Sequence, residues 1–120
     1  MSTCFTPILQ RIIERVPGSM GAIFADGDGE AVDQVASDRR EIQILGAHYG
    51  IILNHVQSVL HLFHYGSADE IIVHHGKMDL VVRAVGQGYY LVLAVSAGCH
   101  LATVLRETAA CANALRAEMY

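Results

Sequence analysis

No stretch of this chain is apolar for long enough to cross a bilayer; none approaches the roughly 18 residues that a helical span needs. The opening "MSTCFTPILQRIIERV" is interrupted by Pro7, Gln10 and Arg11 and does not fit a secretory leader, so the expected location is the cytoplasm. Lysine and arginine are few and unclustered against a net charge of −4, which leaves no electrostatic footprint for nucleic acid. A basic amphipathic face for an anionic membrane is missing too. The phosphate-cradling pattern GxxxxGK[ST] is absent, and "GDGEAVDQVASDRRE" does not follow the dinucleotide fingerprint, so no cofactor is expected. The three cysteines, Cys4, Cys99 and Cys111, form no CxxC pair. An odd number without a secretion signal predicts reduced thiols, buried and inert.

The 120 residues suit one domain, 1–120, with a single core. With 52% hydrophobic and only 17% charged residues, the chain is more apolar than a small monomer needs, which suggests an oligomer. Phe5, Ile8, Leu9, Ile12, Ile13 and Val16 recur at helical spacing, with Thr6 as the expected N-cap before Pro7, and "VPGS" stops this first helix. "MGAIFA" and "EAVDQVA" read as strands joined by Asp26 to Gly29. Asp38 and Glu41 resemble a capping box for a second helix from about Glu41 to Tyr65, ended by Gly66. "DEIIVHH", "KMDLVVRAVG" and "YYLVLAVS" follow as a meander with turns at Gly76 and Gly86 to Gly88. In the last two strands both alternating sets are largely apolar, so helices must cover both faces of the sheet. A third helix runs from roughly Cys99 to Glu118, giving the order α-β-β-α-β-β-β-α.

"ADGDGEAVD" superficially offers a metal site. Counted from Asp26 against a calcium loop, the sixth place holds Ala31 where glycine is required, and the closing glutamate would be Ser37. Asp28-Gly29 instead suits a tight hairpin, glycine for positive φ and aspartate for a local hydrogen bond.

The second helix has two apolar faces. Ile42, Leu45, Tyr49, Ile52, Leu53, Val56, Val59, Leu60 and Phe63 share a stripe broad enough to cover a sheet. Nearly opposite lie Ile44, His48, Ile51, His55, Ser58 and Leu62, at the alternating spacing of a helix–helix seam, which a monomer would leave wet. The strand Ile71, Ile72, Val73 begins the meander and is expected at a sheet edge, where it invites pairing with another chain. A homodimer would cover seam and edge together.

"VPGSMGAIFADGDGEAVD", the long helix, and "ADEIIVHHGKMDLVVRAVGQGYYLVLAVSAGCHLATVLRETAACANAL" together resemble the roadblock/dynein light chain family, from about Phe5 to Arg116. The resemblance rests on the Pro17-Gly18 stop, the Asp28-Gly29 hairpin and the apolar strand pair leading through "SAGCHLATV" to the last helix. These are turn and core positions, so they speak for a fold more than for an activity. The resemblance implies an α+β, profilin-like fold: a five-stranded antiparallel sheet with the second helix on one face and the first and third on the other. It further implies dimers joined edge to edge through the third strand, Glu70 to His75 here, with the second helices side by side. Members of the family are non-catalytic platforms; bacterial and archaeal ones often bind Ras-like small GTPases, some activating hydrolysis, and eukaryotic ones serve in dynein or lysosomal scaffolds. This chain is similar to the stand-alone bacterial type.

A GTPase partner is expected on the remaining flank of the second helix, Gln43, Ala47, Gly50, Asn54, Gln57 and His61. Arg39 and Arg40 read as solvated charges rather than as an arginine finger. The alternatives are a light-chain subunit of a motor or scaffold without a GTPase, and a metal or ligand sensor using the seven histidines. Neither His61 and His64 nor His74 and His75 has a cysteine or carboxylate at ligand spacing, so no metal ligand is assigned. His48 and His55 would approach their symmetry mates in a homodimer, so protonation in mildly acid solution would weaken association. No catalytic residue is expected: Cys99 beside His100 in "SAGCH" lacks the geometry of a nucleophile and its base, and GxSxG is absent.

Overall fold

The computed structural model describes residues 3–36 and 39–119. Its elements are α1 (Thr6–Arg15), β1 (Ser19–Ala25), β2 (Ala31–Ala36), α2 (Arg39–Leu62), β3 (Glu70–His74), β4 (Met78–Gly86), β5 (Tyr89–Ser96) and α3 (Leu101–Met119). All strand pairings are antiparallel, and the sheet order is β2-β1-β5-β4-β3. This is the expected α+β arrangement, with β3 at one edge.

Period-two alternation divides the core. Ala22, Phe24, Val81, Val85, Leu91, Leu93 and Val95 face one way and pack with Leu9, Ile12 and Val16 from the α1 side and Val104, Cys111, Ala112 and Leu115 from α3. Ile23, Ala25, Leu80, Val82, Tyr90, Val92 and Ala94 face the other way, under Ile42 and Leu53 of α2. One helix thus covers one face and two cover the other, because every second side chain of the central strands needs a dry partner.

Three local expectations are corrected. Thr6 is not the N-cap of α1: Phe5 holds that place without a side-chain bond. The Thr6 hydroxyl donates instead to Asp33 of β2, which also accepts from the Thr3 hydroxyl at 2.8 Å and from the Gln34 amide. The helix already includes Thr6, and its hydroxyl oxygen accepts from the Thr3 amide at 2.8 Å while its proton goes to the nearly buried carboxylate. In the β1–β2 turn Gly29 has φ +87°, as expected, but the aspartate that closes the loop is Asp26, whose carboxylate accepts from the amides of Asp28 and Glu30. The second helix ends at Leu62, not Tyr65. His64 adopts φ +59°, its amide bonds to the His61 carbonyl and the Tyr65 amide to that of Leu60, a Schellman stop completed before Gly66 is reached. Asp38 of the expected capping box lies outside the described residues.

The nearly buried Asp33 ties the start of α1 to β2 through a half-buried Thr6 and an exposed Thr3. Asp33→Ala should therefore destabilise the fold by about 1 kcal/mol, the loss of these part-buried hydrogen bonds, read as a lower urea midpoint at unchanged m-value. An unshifted midpoint would show that the threonines find water instead.

Candidate functional site

The rotation of α2 about its own axis decides which of its residues can meet a partner, and two glycines set that rotation. A Cβ on Gly50 would lie 1.7 Å from Cζ of Tyr90, and one on Gly46 would lie 2.7 Å from Cγ2 of Ile23. The bare backbone lets the helix settle onto the sheet with the Tyr90 ring filling the notch, and the Tyr90 hydroxyl donates to the Gly46 carbonyl at 3.0 Å. Burial, and secondarily the Asp26 carboxylate, raise the pKa of that phenol above its ordinary value, which keeps it a donor.

This seating overturns part of the sequence reading. Of the broad stripe expected to cover the sheet, Ile42 and Leu53 are buried and Leu45, Tyr49, Val56 and Leu60 half-buried, but Ile52, Val59 and Phe63 face solvent. The flank expected to be free for a GTPase is largely taken. Gly50 is buried under Tyr90, and Ala47 packs beside Gly29. Asn54 donates to the Gly27 carbonyl at 3.4 Å. The Gln57 amide donates to the Ala68 carbonyl at 2.6 Å and accepts from its amide at 2.8 Å, as a strand neighbour would. Only Gln43 and His61 of that set are exposed. The missed signal is the Gly46–Gly50 pair one turn apart, which marks close approach of a helix to its neighbour.

The helix therefore presents an outward face made of Ile44, His48, Ile51, Ile52, His55, Ser58, Val59, Leu62 and Phe63. Its six aliphatic and aromatic members are 43–71% exposed. Ile52, His55, Val56, Val59 and Leu60 line a shallow groove of about 340 Å³ on it. From Ile42 to Ala68 the chain contains no Asp, Glu, Lys or Arg, so the face is apolar and histidine only. Contiguous exposure of this kind marks an interaction surface more often than chance. Beside it, Tyr49 reaches His75 at 2.9 Å across the β3–β4 turn, so the β3 side of the sheet flanks the same helix face.

β3 pairs only with β4 among the described residues, leaving its outer edge open. Toward the α3 side its residues meet β4 in matched pairs: Glu70 with Arg83 as an ion pair, Ile72 with Val81, and His74 with Asp79 at 3.0 Å. Ile71 and Val73 face the α2 side opposite Val82 and Leu80. All three of Ile71, Ile72 and Val73 are half-buried.

The other expected chemistries resolve into structural contacts. Ser96 Oγ donates to the Gly18 carbonyl at 3.0 Å, and the Cys99 thiol donates to that of Pro17 at 3.3 Å. Both line a cleft of about 500 Å³ at the start of α3. His100 turns its Nδ1 to the Thr103 hydroxyl at 3.0 Å and accepts from the Thr103 amide, which caps the start of the helix. No group of three or more His, Cys, Asp or Glu side chains that could hold a metal ion occurs among the described residues. The cysteines differ from the expectation: Cys111 is buried, Cys99 half-buried and Cys4 exposed. Burial pushes the Cys111 thiol up to about 12.

Comparison with solved structures places this architecture. A Roadblock/LC7 domain from Streptomyces avermitilis is 18% identical, superposes with a TM-score of 0.86, and the match covers 93% of this chain and 94% of that one. MglB solved in a tetrameric arrangement is 17% identical over 97% and 90% of the two chains, with a TM-score of 0.84. MglC from Myxococcus xanthus is 24% identical over 97% and 99%, with a TM-score of 0.69. No protein-family model and no curated protein matches the sequence.

Two measurements test this description. Gly50→Ala should cost about 3 kcal/mol or more from overpacking, and Tyr90→Val in the same chain should recover part of that loss; additive losses would mean the two do not touch. At about pH 8 iodoacetamide should alkylate Cys4 and leave Cys111 unmodified until the chain is unfolded, since the thiolate is the nucleophile; native-state labelling of Cys111 would contradict its burial. With helix order, sheet order and the placement of all three helices in agreement over nearly the whole chain, this protein has the roadblock/LC7 fold.

Proposed function

We propose that the chain is a homodimeric, non-catalytic regulator or scaffold that binds a Ras-like small GTPase. The observation that carries this reading is the uncharged, apolar outer face of α2 lying beside an open β3 edge. Two copies that pair their β3 edges extend one sheet across both and bring the α2 helices side by side. In that arrangement Ile71, Ile72 and Val73 form the strand junction, and Ile44, His48, Ile51, His55, Ser58 and Leu62 supply the helix seam. Ile52, Val59 and Phe63, which the glycine notch turns outward, join the seam.

The GTPase partner is supported by the fold shared with MglB and MglC and by the resemblance to stand-alone bacterial roadblock proteins. Its docking place is the roof formed by the two α2 helices. Gln43 and His61 remain available there, while Gly50 and Gln57 act beneath it by setting the helix. Stimulation of GTP hydrolysis would come from ordering the GTPase's own switch residues, because Arg39 and Arg40 are read as solvated charges rather than as an arginine finger.

Ile52→Asp, at an exposed position, should convert a dimer into a monomer in light scattering while leaving the far-UV circular dichroism of the fold unchanged and removing the concentration dependence of its melting temperature. An affinity pulldown with the wild-type chain should retain a small GTPase, and its hydrolysis rate with and without the chain distinguishes activation from tethering. Failure to retain any GTPase would sink that partner and leave the light-chain role; stoichiometric zinc in the purified protein would favour the sensor.

A further inference from the structure

On the face of the sheet away from α2, the core under α1 and α3 stays open at one end. A cavity of about 300 Å³ lies there, between the residue that precedes α1, the β4–β5 turn and the last turn of α3. Aromatic rings in a row line it: the centroid of Phe24 is 4.9 Å from that of Phe5 and 5.6 Å from that of Tyr89. Phe24 is fully buried, and Phe5 and Tyr89, half-buried, pack against the same core with Val32 and Met119. Two of the chain's three phenylalanines thus meet at a place that still has room for a guest.

The polar groups around the cavity share one electrical sense. Glu118 brings a carboxylate, and Gln87, held at φ +55° in the β4–β5 turn, brings an amide. Glu118 and Met119 belong to the last turn of the 19-residue α3, whose final carbonyls have no partner within the helix and form the negative end of its dipole. Among the described residues no Lys, Arg or His lines the cavity. Arg116, in the same turn, donates to the Val85 carbonyl and to Asn113 instead. Glu118 has no hydrogen-bond or ion-pair partner among the described residues, so its charge is left without a counter-charge.

We infer that this cavity binds a small organic cation bearing an alkylated ammonium group, with its methyl groups against the rings and its charge beside Glu118. Aromatic rings attract a cation through their quadrupole, the more so where water is kept away. A primary ammonium carries three N–H donors that each need an acceptor, and rings accept poorly; a trimethylammonium group has no N–H to satisfy. Its methyl groups suit Val32 and Met119 as well as the rings. The volume stands at the lower end of ordinary ligand sites, enough for such a group with a short tail. A neutral guest of the same shape would fill the space and leave the carboxylate and the helix end unmatched. No residue of α2 or β3 takes part, so the site stands or falls apart from the dimer and the GTPase.

Choline is the probe, and dimethylbutanol, its neutral carbon isostere, is the control. Titrated into the isotope-labelled chain at constant ionic strength, choline should move the amide resonances of Gly88, Tyr89, Glu118 and Met119 and leave those of α2 in place. Its affinity should be about tenfold above that of the alcohol. Glu118→Gln, at an exposed position, should weaken choline about threefold and leave the alcohol unaffected. Tyr89→Phe, which keeps the ring, should bind choline like the wild type, and Tyr89→Leu about tenfold more weakly. An alcohol that binds as well as choline would reveal a mere apolar gap and overturn the inference. Choline that moves none of these amides overturns it too, as does an affinity for choline that Glu118→Gln leaves unchanged.

Discussion

The seating of the Tyr90 ring in the notch left by Gly46 and Gly50 is the constraint on which the rest of the surface depends. A helix of this length could lie on the sheet at several rotations, since apolar residues occur around most of its circumference. Only one rotation puts bare backbone over the largest side chain in the core on that face and gives its hydroxyl a carbonyl to bond. Once that contact is made, the identity of every outward residue follows from helical geometry.

Much of the architecture was legible in the sequence. Alternation in β4 and β5 was apolar on both phases, which demanded helices on both faces, and the Gly-rich turns marked the meander. The orientation of α2 was not legible in the same way. A count of apolar area treats glycine as empty, whereas glycine is where the helix comes nearest to the sheet, so Gly50 was placed on an open flank when it lies beneath the helix. Thr6 failed for a different reason: its acceptor, Asp33, sits on another element, and proximity of that kind has no signature in local spacing. The seam residues from Ile44 to Leu62 were recognisable as a wet apolar stripe, and the structure leaves them exposed; Ile52, Val59 and Phe63 were assigned to the sheet because their area alone argued for burial.

The two halves of α2 serve unlike ends. Its inner face sets Ile42 and Leu53 in the core around the two glycines, and two amides beside it, Asn54 and Gln57, hold neighbouring loops. Its outer face carries large aliphatics and histidines with no fixed charge. Fixed charges on such a face would have to be desolvated in any contact that covered it, whereas aliphatics gain from burial. A surface of this composition is suited to contacts driven by the burial of apolar area.

The bonds from Thr3 and Thr6 to Asp33 also bear on how the chain assembles. They span at most 30 residues and, with the β1–β2 hairpin, tie α1 into a unit of short loops. β3, β4 and β5 form a second local set through tight turns. The sheet becomes whole only where β1 meets β5, pairing Ala22 with Leu93 across most of the sequence. Closing that long loop carries the greatest entropic cost of any strand pairing in the chain, and α2, strung between the two sets, is also the tether whose docking shortens the search.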